Sequence, residues 1–95
     1  MQPIPTPAPS NTLTINTTGK YSETVKINGV VTTLLNIRKG PGTQYANLVS
    51  YPTLPANTKV GLCDMARDKN GGIWYFIKIN NAKYGFANAS YIKIV

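Results

Sequence analysis

The chain has 95 residues, enough for one domain with a modest core, and 42% of them are hydrophobic. Ten basic residues against three acidic ones (Glu23, Asp64, Asp68) give a formal net charge of +7, with no histidine and a single cysteine, Cys63. This inventory excludes an intrachain disulfide and a structural zinc site, and removes the commonest metal ligand and general base.

Prolines at 3, 5, 7 and 9 make residues 1–12 an extended, polyproline-like linker with no share in a core. A chain opening Met1-Gln2-Pro3 on a linker reads as a domain excised from a longer protein. The segment has neither the basic start nor the apolar stretch of a signal peptide, and no apolar run in the chain approaches a membrane span.

Residues 13–95 read as one all-β domain. Helical periodicity is missing, and short alternating runs recur between turn signals. Strands are expected near 13–16, 20–27, 30–37, 46–51, 58–66, 73–79, 83–87 and 91–94. Asn28-Gly29 reads as a hairpin turn between the second and third of these, Asn70-Gly71-Gly72 and Asn80-Asn81 as later ones. Gly40-Pro41-Gly42 forces a sharp turn after 35–38, and Pro52 and Pro55 make 51–57 a loop. Residues 88–91 suit one 3₁₀ turn. Such dense short strands favour a compact barrel or two packed orthogonal sheets. The expected core is Val25, Ile27, Val31, Leu35, Ile37, Leu48, Val60, Leu62, Tyr75, Ile77, Ile79, Phe86 and Ile92. Cys63 falls out of phase with Val60 and Leu62, which would leave it part-exposed, but its preferred reading is a small packing residue.

Along 73–79, a period of two puts Tyr75, Ile77 and Ile79 on one face and Trp74, Phe76 and Lys78 on the other. The first reads as core. The second would present an indole, a benzyl ring and an ammonium as a contact surface, so Trp74 and Phe76 are candidate ligand-binding residues, unless the strand buries both faces at its ends or an extra N-terminal strand covers Phe76. Asn36 and Arg38, on the outer face of their strand, either pin the 39–44 loop or reach a ligand carboxylate. No catalytic residue is assigned. Asp64 and Asp68, four apart near a turn, read as solvated, and no cofactor or metal is implied. The basic residues attract anionic partners but form no run of five.

The run LNIRKGPGTQY at 35–45 closely resembles the signature of bacterial SH3 domains, where a Leu-Asn-Val-Arg strand enters a Ser-Gly-Pro loop. Lys39 stands for the usual serine, and Gly42 sits where serine is common. Trp74-Tyr75-Phe76-Ile77-Lys78-Ile79 resembles the family's Trp-Tyr-Lys-Val strand, Lys83-Tyr84-Gly85-Phe86-Ala87 its Lys-Thr-Gly-Tyr-Val segment, and Ser90-Tyr91-Ile92 its closing Ser-Ser-Tyr-Leu. The similarity spans 30–95, and Phe76, where a polar residue is usual, is its main departure. It implies a small SH3-like barrel, to which 13–29 would add an N-terminal hairpin strand. It implies a groove in which Tyr45, Tyr51 and Tyr91 are further candidates. Its functional implication is non-catalytic targeting to the bacterial cell wall outside the cell: the partner would be peptidoglycan or another anionic wall polymer, and a lytic enzyme domain, as in endolysins and autolysins, would sit in the same parent chain. The alternative is a basic, aromatic-lined barrel for single-stranded nucleic acid. It is disfavoured because the basic residues do not cluster beside the aromatics except at Lys78.

Overall fold

Alternating strands separated by glycine- and asparagine-rich turns fold in a computed structural model that describes residues 13–80 and 83–95. The chain order is β1 (Ile27–Val31), β2 (Leu35–Asn36), β3 (Thr53–Leu54), β4 (Lys59–Arg67), β5 (Ile73–Lys78), β6 (Tyr84–Asn88), a 3₁₀ turn (Ala89–Tyr91) and β7 (Ile92–Ile94). A five-stranded antiparallel sheet runs β6-β5-β4-β1-β7, and β2 pairs with β3 in a small second sheet. The fold is all-β. The two sheets are stitched at one point, where the backbone of Arg38 exchanges hydrogen bonds with that of Phe86 (both 2.9 Å). Among the described residues no continuous ladder closes them into the expected barrel. The expected linker at 1–12, and Asn81 of the expected 80–81 turn, lie outside the described residues.

The main core follows the period of two. Val31, Leu35, Ile37, Val60, Leu62, Ile77 and Ile92 are buried together, with Ile27, Leu48, Tyr75 and Ile79 packed against them. Leu54 and Ala87 join this cluster, Leu54 from within the stretch expected to be a loop. Prolines 52 and 55 do restrict that stretch, but they flank a two-residue edge strand in place of preventing one, and the Pro52 carbonyl accepts from Ile37 N (3.0 Å). The strand expected at 46–51 is reduced to a single bridge between Asn47 and Arg38.

Asn28-Gly29 is not a turn. It lies inside β1, which β4 and β7 flank on both sides. A side chain at Gly29 would meet Ile92 Cγ2 at 2.9 Å and Leu62 at 3.3 Å, so glycine serves close packing here. Consequently no N-terminal hairpin forms among the described residues. Ile15 makes one parallel bridge to Met65, beyond the end of the β1–β4 ladder, and Asn16 N donates to Met65 O (2.8 Å). The chain then packs against the outer face of the large sheet. Asp64 holds it there, accepting from Asn16 Nδ2 and Ser22 N (both 3.0 Å). Val25, expected in the core, lies over Gly61 and is 39% exposed.

A bulge decides the fate of Cys63. The β4–β5 register shifts between Leu62 and Asp64, so Cys63 is the extra residue and both it and Leu62 face inward, each 0% exposed. The period of two that would have left the thiol part-exposed breaks there, and Cys63 takes the place of a small packing residue. Burial pushes this thiol above its ordinary pKa.

Candidate functional site

The face of β5 opposite the main core is itself covered. Trp74 and Phe76 have the predicted phase, yet Trp74 is only 3% exposed and packs in a second cluster with Ala66, Phe86, Phe76 and Tyr21. The Tyr21 ring meets Phe86 edge-on (centroids 4.9 Å) and Phe76 at 5.5 Å, and Phe76 stacks on Tyr84 at 5.5 Å. Both rings are therefore structural where an exposed contact surface is expected. The reason is tertiary: residues without regular pairing, held by Asp64, supply the cover. Burial, and next the charge of Asp64, raise the phenol pKa of Tyr21.

Trp74 still shows an edge. It lies in a depression of about 410 Å³ where the two sheets meet, lined also by Asn36, Arg38, Leu34, Asn88 and Tyr91. Each lining element has a local cause. Asp68, at the β4–β5 turn, orients the indole by accepting from Trp74 Nε1 (2.9 Å) while it accepts from Asn70 N and Gly72 N (both 2.8 Å). The indole bond, then the backbone donors, hold the Asp68 carboxyl below its ordinary pKa. Asn88 caps the 3₁₀ turn through Ser90 N (2.9 Å), and Thr32 binds Tyr91 O through both its N (2.9 Å) and Oγ1 (3.0 Å). These bonds fix Tyr91 and the β1–β2 connection as two walls. Leu34 (67% exposed) and Tyr91 (46% exposed) form an apolar rim.

Arg38 forms the polar wall. Its Nη1 donates to Tyr45 O (3.0 Å), Asn47 Oδ1 (3.3 Å) and Thr43 O (3.4 Å), and Asn47 Nδ2 donates in turn to Asn36 Oδ1 (3.1 Å). Of the two roles open to Asn36 and Arg38, loop pinning is thus fulfilled. Arg38 Nη2 and Nε make no hydrogen bond among the described residues. The pinned loop needs its glycines: Gly42 has a φ of +142°, and a side chain at Gly40 would meet the Tyr45 ring at 2.6 Å.

Asn36, Arg38, Trp74 and Tyr91 thus come together. Tyr45, Tyr51 and Phe76 are not among the lining residues. Tyr45 packs on Gly40, Tyr51 packs against the main core with its hydroxyl accepting from Asn80 Nδ2, and Phe76 sits under Tyr21. Leu34 and Asn88 escaped the sequence reading. A signal for Leu34 existed: Leu34-Leu35 on an alternating strand must turn one leucine outward. Asn88 carried none beyond its capping role. The carboxylates of Asp64 and Asp68 are both taken up by structural hydrogen bonds. Comparisons with protein-family models, curated proteins and solved structures return no match.

Proposed function

We propose that this domain is a non-catalytic cell-wall binding module of the bacterial SH3 kind, which holds an attached peptidoglycan hydrolase on the wall. The observation that carries the reading is the groove where the two sheets meet. It combines an apolar rim, an indole edge and an arginine with donors to spare, as required to take an extended peptide stem and its carboxylate. The resemblance of residues 30–95 supplies the ligand class. The net charge of +7 favours encounter with an anionic wall, and a tether to an enzyme domain would raise that enzyme's local concentration there. No helix among the described residues is long and apolar enough to cross a membrane.

The test is co-sedimentation with purified Gram-positive sacculi. The domain should pellet with them without clearing a cell suspension, and Tyr91→Ala should weaken retention about tenfold or more, as for an interface anchor. Tyr91 is exposed, so this variant keeps its fold. Equal recovery in the supernatant with and without sacculi overturns the targeting reading. Lysis by the isolated domain overturns the non-catalytic one.

A further inference from the structure

A second cavity, of about 570 Å³, opens on the outer face of the large sheet and shares no lining residue with the groove. Cross-strand pairing fixes what this face displays. Lys93, Val30 and Lys59 form one row across β7, β1 and β4, and Asn28, Gly61, Lys78 and Tyr84 form the next row across β1, β4, β5 and β6. Paired residues share a face, so Lys59, Lys78 and Lys93 all stand on this side. Strand spacing puts the Cα atoms of Lys93 and Lys59 about 10 Å apart and those of Lys59 and Lys78 about 8 Å apart. Lys59 and Lys78 line the cavity, over a floor of Gly29, Val60 and Gly61 with Asn28 and Asn80 at its margins, and Lys93 stands on the same face beyond its edge. None of the three acidic residues lines the cavity.

We infer that this face is a second binding site, separate from the groove, for a linear phosphodiester polymer of the polyol-phosphate type. Three lysines on one face, spread over two adjacent rows with no arginine fork among them, suit repeated point charges better than a planar carboxylate. The choice against single-stranded nucleic acid rests on the lining, which contains no aromatic residue on which a base could stack. The Tyr84 ring, across from the lining residue Lys78, is already stacked on Phe76 and carries Lys78 Nζ at 5.9 Å from its centroid. The Asn28 amide can serve a polyol hydroxyl. This inference does not rest on the wall-peptide reading of the groove.

Calorimetric titration with synthetic poly(glycerol phosphate) tests it, with oligo(dT) and polyglutamate as comparison polyanions. The triple variant Lys59→Gln, Lys78→Gln, Lys93→Gln should bind about tenfold or more weakly at about 50 mM salt, and its salt slope should fall by about 2. A triple variant with the same loss of charge elsewhere on the exposed surface (Lys20→Gln, Lys39→Gln, Lys69→Gln) should stay within about threefold of the original, and so should Tyr91→Ala. Unfolding midpoints confirm that each variant is folded. Equal losses in the two triple variants would mean diffuse charge and no site. Polyglutamate or oligo(dT) binding as tightly as the polyol phosphate overturns the ligand class, and absence of binding overturns the whole. A groove failure shows instead on sacculi stripped of anionic polymers, so the two outcomes separate.

Discussion

Truncating the single tryptophan tests the interior position that the second cluster gives it. At 3% exposure, Trp74 buries nearly its whole ring, an aromatic area of about 150–250 Å². At about 25 cal/mol per Å² this corresponds to about 4–6 kcal/mol, an upper bound because the unfolded chain is itself partly collapsed. Core Trp→Ala truncations cost about 3–5 kcal/mol, so Trp74→Ala is expected to lose about 4 kcal/mol. That is a large share of the roughly 5–15 kcal/mol a domain holds. Trp74→Phe gives up the bond to Asp68 and only part of the area, and should lose about 1–2 kcal/mol from burial. Urea unfolding followed by far-ultraviolet circular dichroism measures both, since the variants lack the fluorophore. An alanine variant within about 1 kcal/mol of the original at unchanged m-value would show a surface indole and refute the two-cluster account. Because only an edge of the ring reaches the groove, Trp74→Phe should also reduce wall retention less than Tyr91→Ala does.

Tyr21→Ala should uncover Phe76 and Phe86 and cost about 1.5–3 kcal/mol, less than a fully buried aromatic, with increased binding of a hydrophobic dye as a second readout. A change under about 0.5 kcal/mol would mean that the cover contributes nothing. The Asp68 carboxyl supplies the pH dependence. Its folded pKa lies below the ordinary 3.8, so its contribution is complete above that value and disappears as pH falls through the lower folded pKa. Acid titration of Trp74 fluorescence should show this loss, and Asp68→Asn should flatten stability below about pH 4. An unchanged acid limb in the variant would refute the assignment to Asp68.

The β4–β5 and β5–β6 hairpins, the 3₁₀ turn and most of the main core were legible because local rules suffice there. Alternation of apolar residues and Asn-Gly-Gly chemistry point the same way, and Gly71 indeed takes a φ of +87° at the turn. Asn28-Gly29 misled because two flanking strands outweighed a local turn preference that a short peptide would have followed. Part of the groove was legible as well: Arg38 ahead of a glycine-proline loop announces a position, and the family resemblance pointed to Tyr91, though neither showed that they meet.

By itself, the sequence determined the all-β class, the inward set of β5 and the excess of positive charge, since all three follow from residue type and a period of two. Only the tertiary structure decided which second face stayed wet. Tyr21 is bound by no local rule to Phe76 or Phe86, and Asp64 holds its segment across more than forty residues of chain, Ser22 lying 42 positions away. One added residue at Cys63 likewise turned a thiol inward. Burial of this kind depends on which distant segment arrives to exclude water, and strand alternation carries no information about that partner.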